Sequence, residues 1–191
     1  MLFVPTSIPD AYVIRAETHE DERGSFARTF SRDAFEAHGL NPHIEQCCIS
    51  TNRKRGTLRG LHFQVPPRCE AKLVRCLRGA VFDVVLDLRP DSVAFGEWEG
   101  FEIDGVRGTG VYVPEGCAHG FLTLEDDTEI AYQISEAYDP ALGRGIRYDC
   151  PTLGIDWPMT PTVVSERDRT WPGFDPEAVR RLLGGRRTES V

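Results

Sequence analysis

No two of the six cysteines stand at C-x-x-C spacing; they lie at positions 47, 48, 69, 76, 117 and 150. A zinc ribbon or a thioredoxin-like redox pair therefore finds no support. The thiols are expected to stay reduced and mostly to fill core. No apolar run is long enough to span a bilayer. The start, Met1-Leu2-Phe3-Val4-Pro5, has neither a basic segment nor a long apolar stretch. No secretory leader is expected, and a cytoplasmic address follows. Positive charge is scarce as well: the formal net charge is −8, which argues against general binding of nucleic acid or an anionic membrane. A local arginine cluster can still hold a phosphate. Internal repeats and low-complexity segments are absent, and helix signals are few.

What is present is strand. At 191 residues the chain is long enough for one substantial core, read as a single domain over 1–183 with a polar tail over 184–191. Short apolar runs recur between Gly, Pro and Asp punctuation. They are Ala71–Leu77, Val81–Leu88, Gly110–Pro114, Gly120–Leu124 and Thr128–Ser135. Regular short strands with turn signals between them predict an all-β sandwich or barrel. Two helices are expected at its periphery, Ser31–His38 and Pro176–Leu183.

The run Gly56-Thr57-Leu58-Arg59-Gly60-Leu61-His62-Phe63-Gln64 is the most informative. It places an arginine and a histidine in an apolar strand, as a proton-abstracting site for an anionic substrate needs. Three positions separate them, so on a regular strand they face opposite sides. A bend or bulge is required to bring both to one cavity, and Gly56 and Gly60 permit it. His62 and His119 both sit among apolar and glycine residues, whereas His19, His38 and His43 lie in polar contexts expected to face solvent. His62 and His119 read either as core histidines or as site residues. Neither has a second histidine two residues away, so no metal is expected. Lys72 alternates with apolar neighbours and points either to solvent or into a cavity, where its charge would demand a partner. Tyr132 is either a plain strand aromatic or a phenol acid. Asp168 is either a surface charge or the carboxylate that orients a histidine.

These pieces fall into one order. Asp21-Glu22-Arg23-Gly24-Ser25-Phe26, Arg59-Gly60-Leu61-His62-Phe63-Gln64, Ala71-Lys72-Leu73-Val74-Arg75, Pro114-Glu115-Gly116-Cys117-Ala118-His119-Gly120-Phe121, Tyr138-Asp139-Pro140 and Ser165-Glu166-Arg167-Asp168 occur in sequence. From about Pro5 to Trp171 the chain resembles the dTDP-4-dehydrorhamnose 3,5-epimerases, cupin-fold sugar-nucleotide epimerases. The resemblance implies a cupin-type jelly roll with a few short peripheral helices. It also implies a cofactor-free, metal-free isomerase acting on a nucleoside-diphosphate 4-keto-6-deoxyhexose. His62 would be the base, oriented by Asp168. Lys72 would stabilise the enolate oxygen, and Tyr132 would return a proton from the opposite face. Arg23 and Arg59 would bind diphosphate, His119 would line the pocket and Tyr138 would stack on the base. Phe26, Arg28, Gln46, Cys48 and Arg167 complete the expected substrate-binding set. A homodimer is implied, with N-terminal residues of one subunit completing the other's site.

The chain also departs from that family. Arg28 replaces the usual glutamate, Gln46-Cys47-Cys48 stands for Gln-Asp-Asn, Gly143 replaces a glutamate and Cys150 an aspartate. A guanidinium in place of a carboxylate reverses hydrogen-bonding polarity. Retained chemistry with altered nucleotide or sugar recognition is therefore expected. Inversion at C3 alone, a non-catalytic sugar-binding cupin and a metal cupin are the alternatives.

Overall fold

The computed structural model describes residues 1–184, so the expected polar tail lies, Gly184 apart, outside the described residues. In chain order the strands are β1 (Leu2–Pro5), β2 (Tyr12–Arg15), β3 (Thr18–Asp21), β4 (Gly24–Ala27), β5 (Gln46–Asn52), β6 (Thr57–Gln64), β7 (Lys72–Arg78), β8 (Ala80–Asp87), β9 (Trp98–Asp104), β10 (Thr109–Val113), β11 (Cys117–Thr123), β12 (Thr128–Ile134), β13 (Gly143–Gly145) and β14 (Val163–Val164). Three short helices join them: α1 (Arg32–Ala37) between β4 and β5, then α2 (Glu166–Thr170) and α3 (Pro176–Leu183) after the last strand.

Two antiparallel sheets face each other as a jelly-roll sandwich. The first runs β1-β2-β10-β7-β12-β5 and the second β13-β6-β11-β8-β9, with β14 parallel to β6. The hairpin β3–β4 pairs only with itself. Strand periodicity explains the layering. On β7, Val74 and Cys76 point between the sheets, while Leu73 points outward. On β8, Val81 and Val85 point inward, while Val84 and Leu86 point outward.

The central layer, with Val85, Val111, Phe121 and Ile130, is thus covered on both sides. Over the first sheet lie Phe35 of α1, Leu40 and Phe3. Over the second lie Ile146, Leu153 and Val179 of the C-terminal segment. Each fully buried aliphatic or aromatic side chain contributes about 1.5–3 kcal/mol. Among the described residues, no helix is long and apolar enough to cross a membrane.

The structure adds strands beyond those expected, namely β1 to β5, β9, β13 and β14, and the short helix α2. β11 begins at Cys117 and so includes His119, while β5 and β9 lie in segments with weak apolar alternation. The cysteines divide evenly instead of mostly filling core: Cys76, Cys117 and Cys150 are buried, Cys69 is intermediate, and Cys47 and Cys48 are exposed on β5. All six are free thiols. His19, His38 and His43 are exposed, as expected, and one face of the His38 ring stacks on Phe3.

Candidate active site

The register of β6 against β11 resolves the spacing of Arg59 and His62. Arg59 pairs with Phe121 and His62 with His119, so three steps on β6 match two on β11. The extra residue is a bulge at Gly60-Leu61, and it turns Arg59 and His62 to one face. That face is the inner one, because Phe121 belongs to the layer between the sheets. Glycine is required here. Gly60 has φ +137°, and a Cβ on it would lie 2.5 Å from the Gly120 Cα.

His62 sits at the inner wall, part-exposed, with Nε2 2.6 Å from the Asp168 carboxylate. Asp168 arrives from far along the chain. β14 lies parallel beside Thr57 and Leu58 of β6, and α2 follows at once. Ser165 caps that helix, accepting from the Asp168 backbone N–H at 3.0 Å. Burial pushes the Asp168 carboxyl up, but the hydrogen bond and charge of His62, with Ser165 and the Gly60 N–H, bring it below the ordinary carboxylate range. Asp168 is thus ionised and accepts from His62 Nε2–H. Nδ1 is left as the proton acceptor, with no hydrogen-bond partner among the described residues.

His119 carries a second carboxylate. Its Nε2 lies 2.8 Å from Asp83, which is fully buried on β8. The other Asp83 oxygen, Oδ1, has no hydrogen-bond partner among the described residues. The two histidines are register partners, so two histidine–carboxylate pairs stand side by side on the second sheet.

The first sheet supplies the opposing wall. Tyr132 packs into the inter-sheet layer, its ring edge-on to His119 at 5.9 Å between centroids. Burial, and then the charge of Asp83, push its phenol well above the ordinary tyrosine value, so it stays protonated. Lys72 is not solvated. It is buried, its Nζ is 2.6 Å from Glu70, and it reaches the His62 carbonyl on the other sheet at 3.5 Å. On β5, Cys48 is the register partner of Tyr132 and Gln46 that of Ile134. The inward row therefore runs Gln46, Cys48, Ser50, Asn52. Asn52 closes the row by accepting from Arg59 Nε at 2.8 Å, which ties the two sheets at the mouth.

Tyr138 lies outside the gap, half-exposed, near Arg167 at 3.3 Å. Its ring rests on Gly143, where a Cβ would approach it to 3.2 Å. Among the described residues, no strand pairing or hydrogen bond joins Arg23, Phe26 or Arg28 to this cluster. The Arg23 side chain bonds to Asp21, and Phe26 is 75% exposed. Cys150 packs behind the second sheet, away from the gap. Burial pushes its thiol up, but N–H groups of Phe174, Thr152 and Leu153 bring it below the usual thiol value. Among the described residues, no three His, Cys, Asp or Glu side chains converge as a metal-binding set.

Three site residues escaped sequence reasoning: Asp83, Glu70 and Asn52. Asp83 had a signal, a lone carboxylate inside the apolar strand Val81-Phe82-Asp83-Val84-Val85. Glu70 had one too, since it stands two before Lys72 and so shares its side of an extended chain. Asn52 had none.

Known proteins share this sequence and this fold. The family model described as dTDP-4-dehydrorhamnose 3,5-epimerase matches residues 5–176. A protein of Methanothermobacter thermautotrophicus with that name is 42% identical over 88% of this chain and 92% of its own. A Streptomyces niveus relative named dTDP-4-dehydrorhamnose 3-epimerase is 41% identical over 86% of this chain and 80% of its own. The crystal structure of dTDP-4-dehydrorhamnose 3,5-epimerase from Elizabethkingia anophelis superposes with a TM-score of 0.88 at 37% identity, covering 91% of this chain and 96% of that one. The sandwich and the length matched leave one assignment: the chain belongs to the dTDP-4-dehydrorhamnose 3,5-epimerase family.

Proposed function

We propose that the protein epimerises a nucleoside-diphosphate 4-keto-6-deoxyhexose, with the dTDP-linked sugar as the first candidate because its relatives are named for it. The observation that carries this reading is the placement of base and acid on opposing walls. His62 belongs to the second sheet and Tyr132 to the first. A sugar ring between them meets a proton acceptor on one face and a donor on the other.

His62 Nδ1 removes the proton from C3 or C5, each α to the C4 carbonyl. The bond's electron pair moves onto the C4 oxygen as an enolate. The Lys72 ammonium, itself 8% exposed, stabilises that charge, and its burial strengthens the interaction. Tyr132 then delivers its proton to the carbon from the opposite face, and the centre inverts. Arg59, exposed at the mouth and held by Asn52, receives the diphosphate. Tyr138, with Arg167, offers a ring for the nucleobase.

The protein acts as a cytoplasmic homodimer needing no cofactor or metal. Two exposed features support the dimer. The hairpin β3–β4 projects with Phe26 bare, and the edge strand β5 presents Ile49 at 66% exposure. A second copy covers both, and Arg23, Phe26 and Arg28 then reach the partner's site.

The test is proton exchange followed by NMR in D2O with a panel of nucleotide-linked 4-keto sugars. Deuterium entering at C3 and C5 supports the reading. No exchange with any member of the panel overturns it. A second reading, inversion at C3 alone, is favoured by the name of the S. niveus relative. Exchange at C3 without C5 would select it, although Tyr132 supplies the acid that C5 needs.

A further inference from the structure

Lys72 is held by something other than the groups assigned to the chemistry. Its Nζ lies 2.6 Å from Glu70 Oε1, and both side chains are 8% exposed. We propose that Glu70 is a positioning residue for Lys72: it fixes the ammonium in the gap, ready for the enolate oxygen. The proposal rests on the epimerase reading above.

Three features of the fold support it. First, Glu70 and Lys72 flank Ala71, whose N–H donates to Ser135 Oγ at 2.8 Å and whose carbonyl accepts from the Ser135 N–H at 3.0 Å. The backbone between the two charges is therefore clamped, and the pair does not depend on a floppy loop. Second, the other contact of Lys72 is a long one, 3.5 Å to the His62 carbonyl, which by itself would not hold a four-carbon side chain in one rotamer. Third, two other buried carboxylates, Asp83 on β8 and Asp168 on α2, are each engaged with a histidine of the opposing wall. An ammonium without a local counter-charge would be drawn to them and would compete with the histidines. Glu70 satisfies the charge with one hydrogen bond and leaves Lys72 donor capacity for a developing oxyanion. A buried cation needs such a partner, and removing one member leaves the other uncompensated.

The experiment is a double-mutant cycle on the full-length protein, read by steady-state kinetics and deuterium wash-in. Glu70→Gln keeps the volume and removes the charge. It should lower kcat roughly 10- to 100-fold at both carbons with KM within about twofold, as loss of an interaction made in the transition state does. In a Lys72→Met background the same change should cost nothing further. Equal losses in both backgrounds, or an unchanged kcat in the single variant, would overturn the proposal in favour of a structural role. Should Glu70→Gln fail to fold, Glu70→Asp carries the same cycle: a loss confined to the Lys72 background supports the proposal, and an equal loss in both overturns it. Wild-type exchange is measured alongside. Its absence would count against the epimerase reading, whereas its presence with an indifferent Glu70 counts against this inference alone.

Discussion

Arg59 and His62 are three residues apart on β6, yet they oppose Phe121 and His119, which are two apart on β11. The bulge at Gly60-Leu61 converts an odd spacing into a shared face, and the site depends on it. A guanidinium and an imidazole can then address one ligand from a single strand.

The bulge is therefore the first target. Gly60→Ala places a Cβ 2.5 Å from the Gly120 Cα on a backbone with φ +137°. The conformational penalty alone is about 1–3 kcal/mol, and the clash adds to it. Thermal unfolding should show a Tm lowered by several degrees, with exchange activity falling as the register slips. An unchanged Tm would mean that the strands do not approach so closely.

His62→Ala should abolish exchange at both carbons. General-base catalysis is worth about 10²- to 10⁴-fold, and the loss should reach at least that range. Wild-type-like deuterium wash-in from this variant would remove His62 from the role of base.

Tyr132→Phe should spare exchange at C3 more than inversion at C5. The phenol, kept protonated by burial, is lost while the ring remains to pack beside His119. Equal losses at both centres would point to packing instead of proton delivery.

Asp168 makes a prediction with a definite sign. Its folded-state carboxyl lies below the ordinary value of 3.8. The stability it contributes is therefore fully present above that value and drains away as pH falls through the folded pKa. The difference in Tm between wild type and Asp168→Asn should be constant near neutrality and should shrink only on acidification below about pH 4. At neutral pH the same variant should lose much of kcat, because an amide no longer fixes the Nε2–H tautomer of His62; a comparable swap in a catalytic triad costs about 10⁴-fold. A stability gap that narrows toward alkaline pH would contradict the assignment.

Arg59→Ala should mainly raise KM. A guanidinium that holds diphosphate equally in ground and transition states contributes uniform binding. A selective fall in kcat would show instead that Arg59 acts on the reacting sugar.

Much of this was legible beforehand. Short alternating runs announced an all-β sandwich, and the two helices Ser31–His38 and Pro176–Leu183 appear as α1 and α3. The ordered motifs around His62, Lys72, His119, Tyr132 and Asp168 named the family. The direction of Lys72 was not legible, because alternation says which residues share a face but not which face is buried. Nor was the hairpin β3–β4 legible. Its residues are mostly polar and exposed, and among the described residues it pairs with no other strand.

By itself, then, the sequence determined the residue types and the local alternation, because strand period and turn chemistry act over a few residues. Tertiary structure alone decided the pairings. Asp168 meets His62 across 106 positions, and Asp83 meets His119 across 36. Such contacts come from strand register and sheet packing, which no short window encodes. The run Gly56–Gln64 gained its meaning there: one bulge, at the close approach of Gly60 and Gly120, brought Arg59 and His62 to one face.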